Sequence, residues 1–174
     1  TVLVRKRTEG GLGMVSLRAV ILPKGGTFLA PPPPRRRSLL AIGDSITAGF
    51  GLDGPNAECP FGAATEDGTR TYTALAAREL DADYAALAWS GKGVVQNADP
   101  KDTELLIDIL GRTLPTDAGS VAPLPAADIV VVNLGTNDYA NMVPPPPTAK
   151  FAGGMDKLLT LVRTTYPKPQ VVVV

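Results

Sequence analysis

The 174-residue chain contains no histidine, so no imidazole within it can take a proton from a serine. Cys59 is the only cysteine, which excludes an internal disulfide and leaves the compartment open. Charge of one sign is missing too: 17 basic residues balance 17 acidic ones, so no broad electrostatic pull toward nucleic acid or anionic membrane is expected. No apolar run approaches the roughly 18 residues of a membrane span. No signal peptide is visible, but the sequence starts at Thr1 rather than Met, and that absence therefore excludes nothing. What is present is a hydrophobic fraction of 44%, enough for the core of one domain with a small appendage.

The pattern changes twice along the chain. Within residues 14–22, Val15, Leu17, Ala19 and Ile21 alternate with Ser16 and Arg18, a period of two that predicts a half-buried strand. Residues 1–6 and 27–29 are further strand candidates, and Pro23-Lys24-Gly25-Gly26 supplies turn chemistry between them. Two or three strands cannot bury a core alone, so this segment is expected to lean on a larger β unit. Pro31 to Pro34 and the triple Arg35-Arg36-Arg37 then form a stiff, solvated linker. From Ser38 onward apolar strands (39–42, 84–89, 129–134, 171–174) alternate with helical patterns (71–80, 103–110 and the stripe Phe151, Met155, Leu158, Leu159, Val162). In the helix at 71–80 the expected buried stripe is Tyr72, Leu75, Ala76 and Leu80, with Arg78 and Glu79 outside. Such alternation predicts an α/β fold with a parallel sheet covered on both faces, whose chemistry collects beyond the carboxyl ends of the strands. No G-x-G-x-x-G or P-loop pattern follows the strand at 39–42, which argues against a nucleotide binder.

Three of the four strand ends are polar and glycine-rich. Gly43-Asp44-Ser45-Ile46-Thr47 puts a hydroxyl just past the first, Ser90-Gly91 follows the second, and Gly135-Thr136-Asn137-Asp138 follows the third. Singly, Ser45 reads as a helix cap, Gly91 as a turn residue and Asn137 as a turn or cap. Together the balance reverses. Acyl transfer needs a nucleophile and donors aimed at the developing oxyanion, and a serine, a glycine N–H and an Asn carboxamide from successive strand ends make that set. Asp44 and Asp138, each beside one of these residues, read as carboxylates that hold turns. Trp89 reads as core, and Tyr139 is open between packing and sugar stacking. Lys92, the one lysine in these strand-end motifs, sits in a glycine-rich loop and is expected to be exposed and charged.

These three motifs, in this order, resemble blocks I, II and III of the SGNH (GDSL) hydrolases. With Lys6-Arg7-Thr8-Glu9, Thr71-Tyr72, Ala77-Arg78-Glu79-Leu80, residues 88–95, Asn133 to Asp138, and Val162-Arg163 with Tyr166-Pro167, the chain is most similar to carbohydrate esterase family 2. The resemblance implies a flavodoxin-like three-layer α/β/α hydrolase domain over residues 38–174, incomplete at its C-terminal part. It also implies that residues 1–30 are the last strands of a β-sandwich (jelly roll) domain, joined by the linker 31–37. By carry-over, Ser45 is the nucleophile and an oxyanion N–H, Gly91 a second oxyanion N–H, and Asn137 the side-chain donor. The expected reaction is removal of O-acetyl groups from plant polysaccharides or oligosaccharides through an acyl-serine. No cofactor or metal is implied, and the expected partner is an acetylated carbohydrate, with no nucleic acid or membrane. The family's catalytic histidine lies in a C-terminal Asp-x-x-His block after a final strand, and the expectation is that this chain stops before it. Two rival readings are an SGNH esterase acting on other small or lipid esters, and a glycan-binding remnant without turnover. The run Pro144 to Pro147 is unusual after block III and reads as a loop variant without catalytic meaning.

Overall fold

In the computed structural model, residues 4–140, 144–166 and 168–174 are described. Four parallel strands form one sheet: β1 (Arg37–Gly43), β2 (Ala82–Ala88), β3 (Ile129–Asn133) and β4 (Gln170–Val173), in the order β2-β1-β3-β4. Between them run α1 (Ser45–Ala48), α2 (Tyr72–Glu79), α3 (Leu106–Ile109) and α4 (Thr148–Thr165). This is the flavodoxin-like order, whose direction reverses between β1 and β3. Ligands of such sheets bind outside the carboxyl ends at that reversal. The expected α/β fold is therefore the one observed.

β1 is the centre of the sheet because it is apolar on both faces, as a strand covered from both sides must be. Leu40 and Ile42 join Val130 and Val132 of β3 under α3 and α4, where Leu106, Ile109, Leu110, Leu158 and Val162 close the larger core. On the other face Leu39, Ala41 and Val131 pack with Ala77 of α2 and Ala82. The register sets Gly43 opposite both Ala88 and Asn133, so the segments after β1, β2 and β3 leave the sheet side by side.

Several elements differ from the sequence expectation. α2 is present, and the Thr71 hydroxyl caps it by accepting from the Ala74 N–H at 3.2 Å. Its buried face, however, is Thr73, Ala74 and Ala77, while Tyr72, Leu75, Ala76 and Leu80 are exposed. The period is right and the phase is wrong: small side chains let the helix lie close over Leu39 and Ala41, and the Thr73 hydroxyl bonds the Tyr84 hydroxyl at 2.9 Å. α3 is shorter than 103–110, because the Glu104 carbonyl accepts from Lys92 Nζ (2.6 Å) and from Asn97 Nδ2 (2.7 Å). Between residues 13 and 36 the chain forms no strand, and Leu17 (77% exposed) and Ile21 (92%) face solvent. A strand holds only when a neighbour satisfies its N–H and C=O groups, and no described element lies alongside this one. The first residues of the expected strand 1–6, and Pro167 of the Tyr166-Pro167 pair, lie outside the described residues. Pro147 immediately precedes α4 with φ −55°, so the proline run ends as a helix entry, where a fixed φ is already helical.

Candidate active site

Block I turns sharply out of β1. A Cβ on Gly43 would fall 2.0 Å from Thr47 Oγ1 and 2.9 Å from the Asn133 carbonyl oxygen, so only glycine lets α1 fold back over the strand end. Asp44 caps α1, its Oδ1 accepting from the Ile46 N–H at 3.0 Å. Burial raises the Asp44 carboxyl above its ordinary range, partly offset by that hydrogen bond. Ser45 is half-buried at the first helical position. Among the described residues, neither its N–H nor its hydroxyl has a hydrogen-bond partner.

Block II follows β2. Gly91 has φ 82°, a left-handed conformation that favours glycine, and nothing lies within 4 Å of where a Cβ would stand. Its carbonyl accepts from the Ala98 N–H at 2.9 Å, whereas its N–H has no acceptor among the described residues. The loop beyond is fastened by Asp138 of block III, fully buried, whose carboxylate accepts from the N–H groups of Val94 (2.8 Å), Val95 (2.7 Å) and Gln96 (3.1 Å). Asp44 thus holds its own turn at Ser45, as the sequence suggested, whereas Asp138 holds the block II loop against block III rather than its own turn.

Asn137, buried, joins the three strand ends. Its Nδ2 donates to the Lys92 carbonyl at 2.8 Å and, at 3.3 Å, to Asp44 Oδ2. Lys92 is the neighbour of Gly91, and Asp44 is the neighbour of Ser45. The carboxamide therefore bridges the loops that carry the other two candidates. The first N–H is firmly committed, and the second, in the long contact, is the one a ligand oxygen can compete for. Among the described residues the N–H groups of Ser45 and Gly91 have no acceptor, and unpartnered N–H groups are what an oxyanion site requires.

Lys92 is not the exposed residue expected. It is buried, its ammonium bonding Asp102 at 3.0 and 2.9 Å and lying 5.7 Å from the Trp89 ring centroid. A buried ammonium needs such partners, and Asp102 and the Glu104 carbonyl supply them across the loop. Trp89 packs at the margin of the larger core, as expected. Tyr139 is 46% exposed with its ring edge against Phe151. Among the described residues no group of three or more His, Cys, Asp or Glu side chains gathers to hold a metal ion, and no helix is long and apolar enough to cross a membrane.

Sequence reasoning gave no role to Glu9 and Glu66, two buried carboxylates beside block II and the loop after α1. Glu9 Oε2 accepts from both the N–H (2.8 Å) and the hydroxyl (2.6 Å) of Ser90. The only signal available was an acidic residue in the Lys6-Arg7-Thr8-Glu9 phrase, with no periodicity to mark it as buried.

Comparison with known proteins agrees with this fold. The cellulase/esterase CelE of Acetivibrio thermocellus is 35% identical over 167 residues, which is 93% of this chain and 20% of CelE. An acetylxylan esterase/glucomannan deacetylase of Cellvibrio japonicus is 30% identical over 79% of this chain and 39% of its own length. A family two carbohydrate esterase from Clostridium thermocellum, solved with cellohexaose, superposes with a TM-score of 0.79 at 33% identity, covering 86% of this chain and 46% of that one. A carbohydrate esterase family 2 enzyme of Corynascus thermopiles (Myceliophthora fergusii) gives 0.77 at 38% identity, covering 85% and 47%. The chain thus spans between a fifth and a half of the length of these relatives. The pattern of the GDSL-like lipase/acylhydrolase family matches residues 41–174, which include all three blocks, and the chain belongs to that family.

Proposed function

We propose that this chain carries the acyl-binding half of a carbohydrate O-deacetylase. Ser45 attacks the acetyl carbonyl. The N–H groups of Ser45 and Gly91 and the Asn137 carboxamide hold the oxyanion, the sugar hydroxyl leaves, and water then releases acetate. The observation that carries the reading is Asn137 bridging the neighbours of Ser45 and Gly91, whose own N–H groups have no acceptor among the described residues. The carbohydrate esterases among the relatives support the substrate class. There is no histidine to deprotonate Ser45, and the Lys92 ammonium is committed to Asp102. The base that the family resemblance implies is a histidine, and these 174 residues hold none.

The test is acetate release from acetylated xylan and glucomannan by the product of the whole gene that carries this chain, beside its Ser45→Ala variant. Ser45-dependent release supports the reading, and equal release by both proteins refutes it. The absence of histidine favours one second reading, a glycan-binding site without turnover, which predicts cellohexaose binding by calorimetry and no acetate release from either protein.

A further inference from the structure

Glu9 belongs to an irregular segment and is nonetheless 8% exposed. Its carboxylate reaches across 81 positions of sequence to take both donors of Ser90, the backbone N–H at 2.8 Å and the hydroxyl at 2.6 Å. Its own N–H donates to Glu66 Oε1. Glu66 is fully buried in the loop that follows α1, where it pairs with Phe50, and where the Asp67 N–H bonds the Gly49 carbonyl at 3.1 Å. Glu66 Oε2 has no partner among the described residues. A buried carboxylate is costly unless ionic or charge-assisted bonds offset it, so two such groups spent here point to a constraint that simpler packing would not give. That constraint falls on Ser90, whose peptide carries the Gly91 N–H.

We propose that Glu9 is a positioning residue. By holding Ser90 at its backbone and its side chain, it fixes the direction of the Gly91 N–H, and Glu66 braces it from the loop behind Ser45. The catalytic meaning of this clamp rests on Gly91 being an oxyanion donor, as proposed above; the clamp itself does not. Protonation of Glu9 removes acceptor capacity from Oε2, so the clamp loosens as pH falls through the titration of this carboxyl. Burial raises that titration above the ordinary carboxylate range, opposed by the Ser90 hydrogen bonds and by the Lys6 charge. The charged groups facing the pair are Lys6 on the same segment and, from the loop after α1, Glu66, whose own carboxyl burial also raises. Lys6 Nζ is tied to the Thr8 carbonyl (2.6 Å) and hydroxyl (2.9 Å) and to the Glu9 carbonyl.

The experiment is amide NMR on residues 1–174 between pH 4 and 8. The Ser90 amide signal is expected to titrate with a midpoint above the roughly 4.3 of a free glutamate, and Glu9→Gln is expected to abolish that titration while keeping an acceptor. In Glu9→Ala, hydrogen exchange at Ser90 should quicken by roughly ten- to a hundredfold, the worth of a hydrogen bond to a charged group, with Ile42 and Val132 unchanged and Glu9→Gln recovering part of the loss. A Ser90 amide insensitive to pH in the wild-type chain overturns the clamp without any variant having to fold. So does equal quickening at Ile42 and Val132. In the whole gene product, Glu9→Gln should lower kcat about tenfold with KM little changed, as loss of an interaction made in the transition state does. Ser45-independent hydrolysis would sink the esterase reading and leave the clamp to NMR, whereas Ser45-dependent turnover with a pH-silent Ser90 would sink the clamp alone.

Discussion

Two adjacent glycines in α4 give opposite answers to the same substitution. A Cβ on Gly153 meets nothing within 4 Å, so Gly153→Ala should add the helix preference of alanine over glycine and stabilise the chain by about 0.5–1 kcal/mol. A Cβ on Gly154 would stand 2.3 Å from Val95 Cγ1 and 2.9 Å from Val94 Cγ1. Those methyls cannot swing away cheaply, because valine has one stiff χ1 and the Val94 and Val95 N–H groups are held by Asp138. Forcing a methyl into such a contact costs about 1–3 kcal/mol, against a helix gain of about 1 kcal/mol. Gly154→Ala should therefore be about neutral to 2 kcal/mol less stable than wild type, and clearly below Gly153→Ala. Urea denaturation of the three proteins measures this as midpoint shifts at constant slope. Equal stabilisation by both substitutions would refute the close seating of α4 on the block II loop.

Asp138→Ala strips one buried and two half-buried N–H groups of their acceptor and leaves a cavity, and should destabilise by about 2 kcal/mol or more in the same assay, where a loss under about 1 kcal/mol would mean that Val94, Val95 and Gln96 find other partners. Ser45→Ala removes a hydroxyl that has no hydrogen-bond partner among the described residues and should leave stability within about 0.5 kcal/mol of wild type. Burial raises the Glu66 carboxyl in the folded chain, with the Glu9 charge adding to it and the Glu9 N–H opposing it. The folded state therefore binds more protons than the unfolded one between the ordinary and the raised value, and the Glu66 contribution to stability falls as pH rises through that window. Glu66→Gln should accordingly gain on wild type as pH increases from 4 to 8, and a constant or shrinking difference in thermal scans would contradict the assignment. In the whole gene product Asn137→Ala should lower kcat by roughly 10²- to 10³-fold with KM little moved, the loss usual for one oxyanion donor, and a loss confined to KM would make Asn137 a substrate-binding residue.

The sheet was legible because a doubly covered strand is apolar throughout: Leu39 to Ile42 and Ile129 to Val132 announce themselves without any partner in view. The three blocks were legible because parallel strands bring their ends together, so motifs far apart in sequence can be read as one place. The phase of α2 was not, since size ranks Tyr72, Leu75 and Leu80 above Thr73, Ala74 and Ala77, and only the closeness of the helix to the sheet selects the smaller set. The period of two between Val15 and Ile21 misled because alternation marks a face without saying that a neighbouring strand is there. Lys92 was misread for a related reason: a glycine-rich loop suggests exposure until Asp102 and the Glu104 carbonyl are seen to close over the ammonium.

The central claim is that Ser45 is an acyl acceptor whose proton acceptor lies outside these residues. Its most direct test is hydrolysis of an activated acetyl ester by residues 1–174 and by Ser45→Ala, each with increasing free imidazole, the acetylated peptide being located by mass spectrometry. The account predicts negligible turnover without imidazole and, with it, an added rate and an acetyl group on Ser45 that both vanish in Ser45→Ala. Identical imidazole dependence of the two proteins, with no acetyl on Ser45, would contradict it.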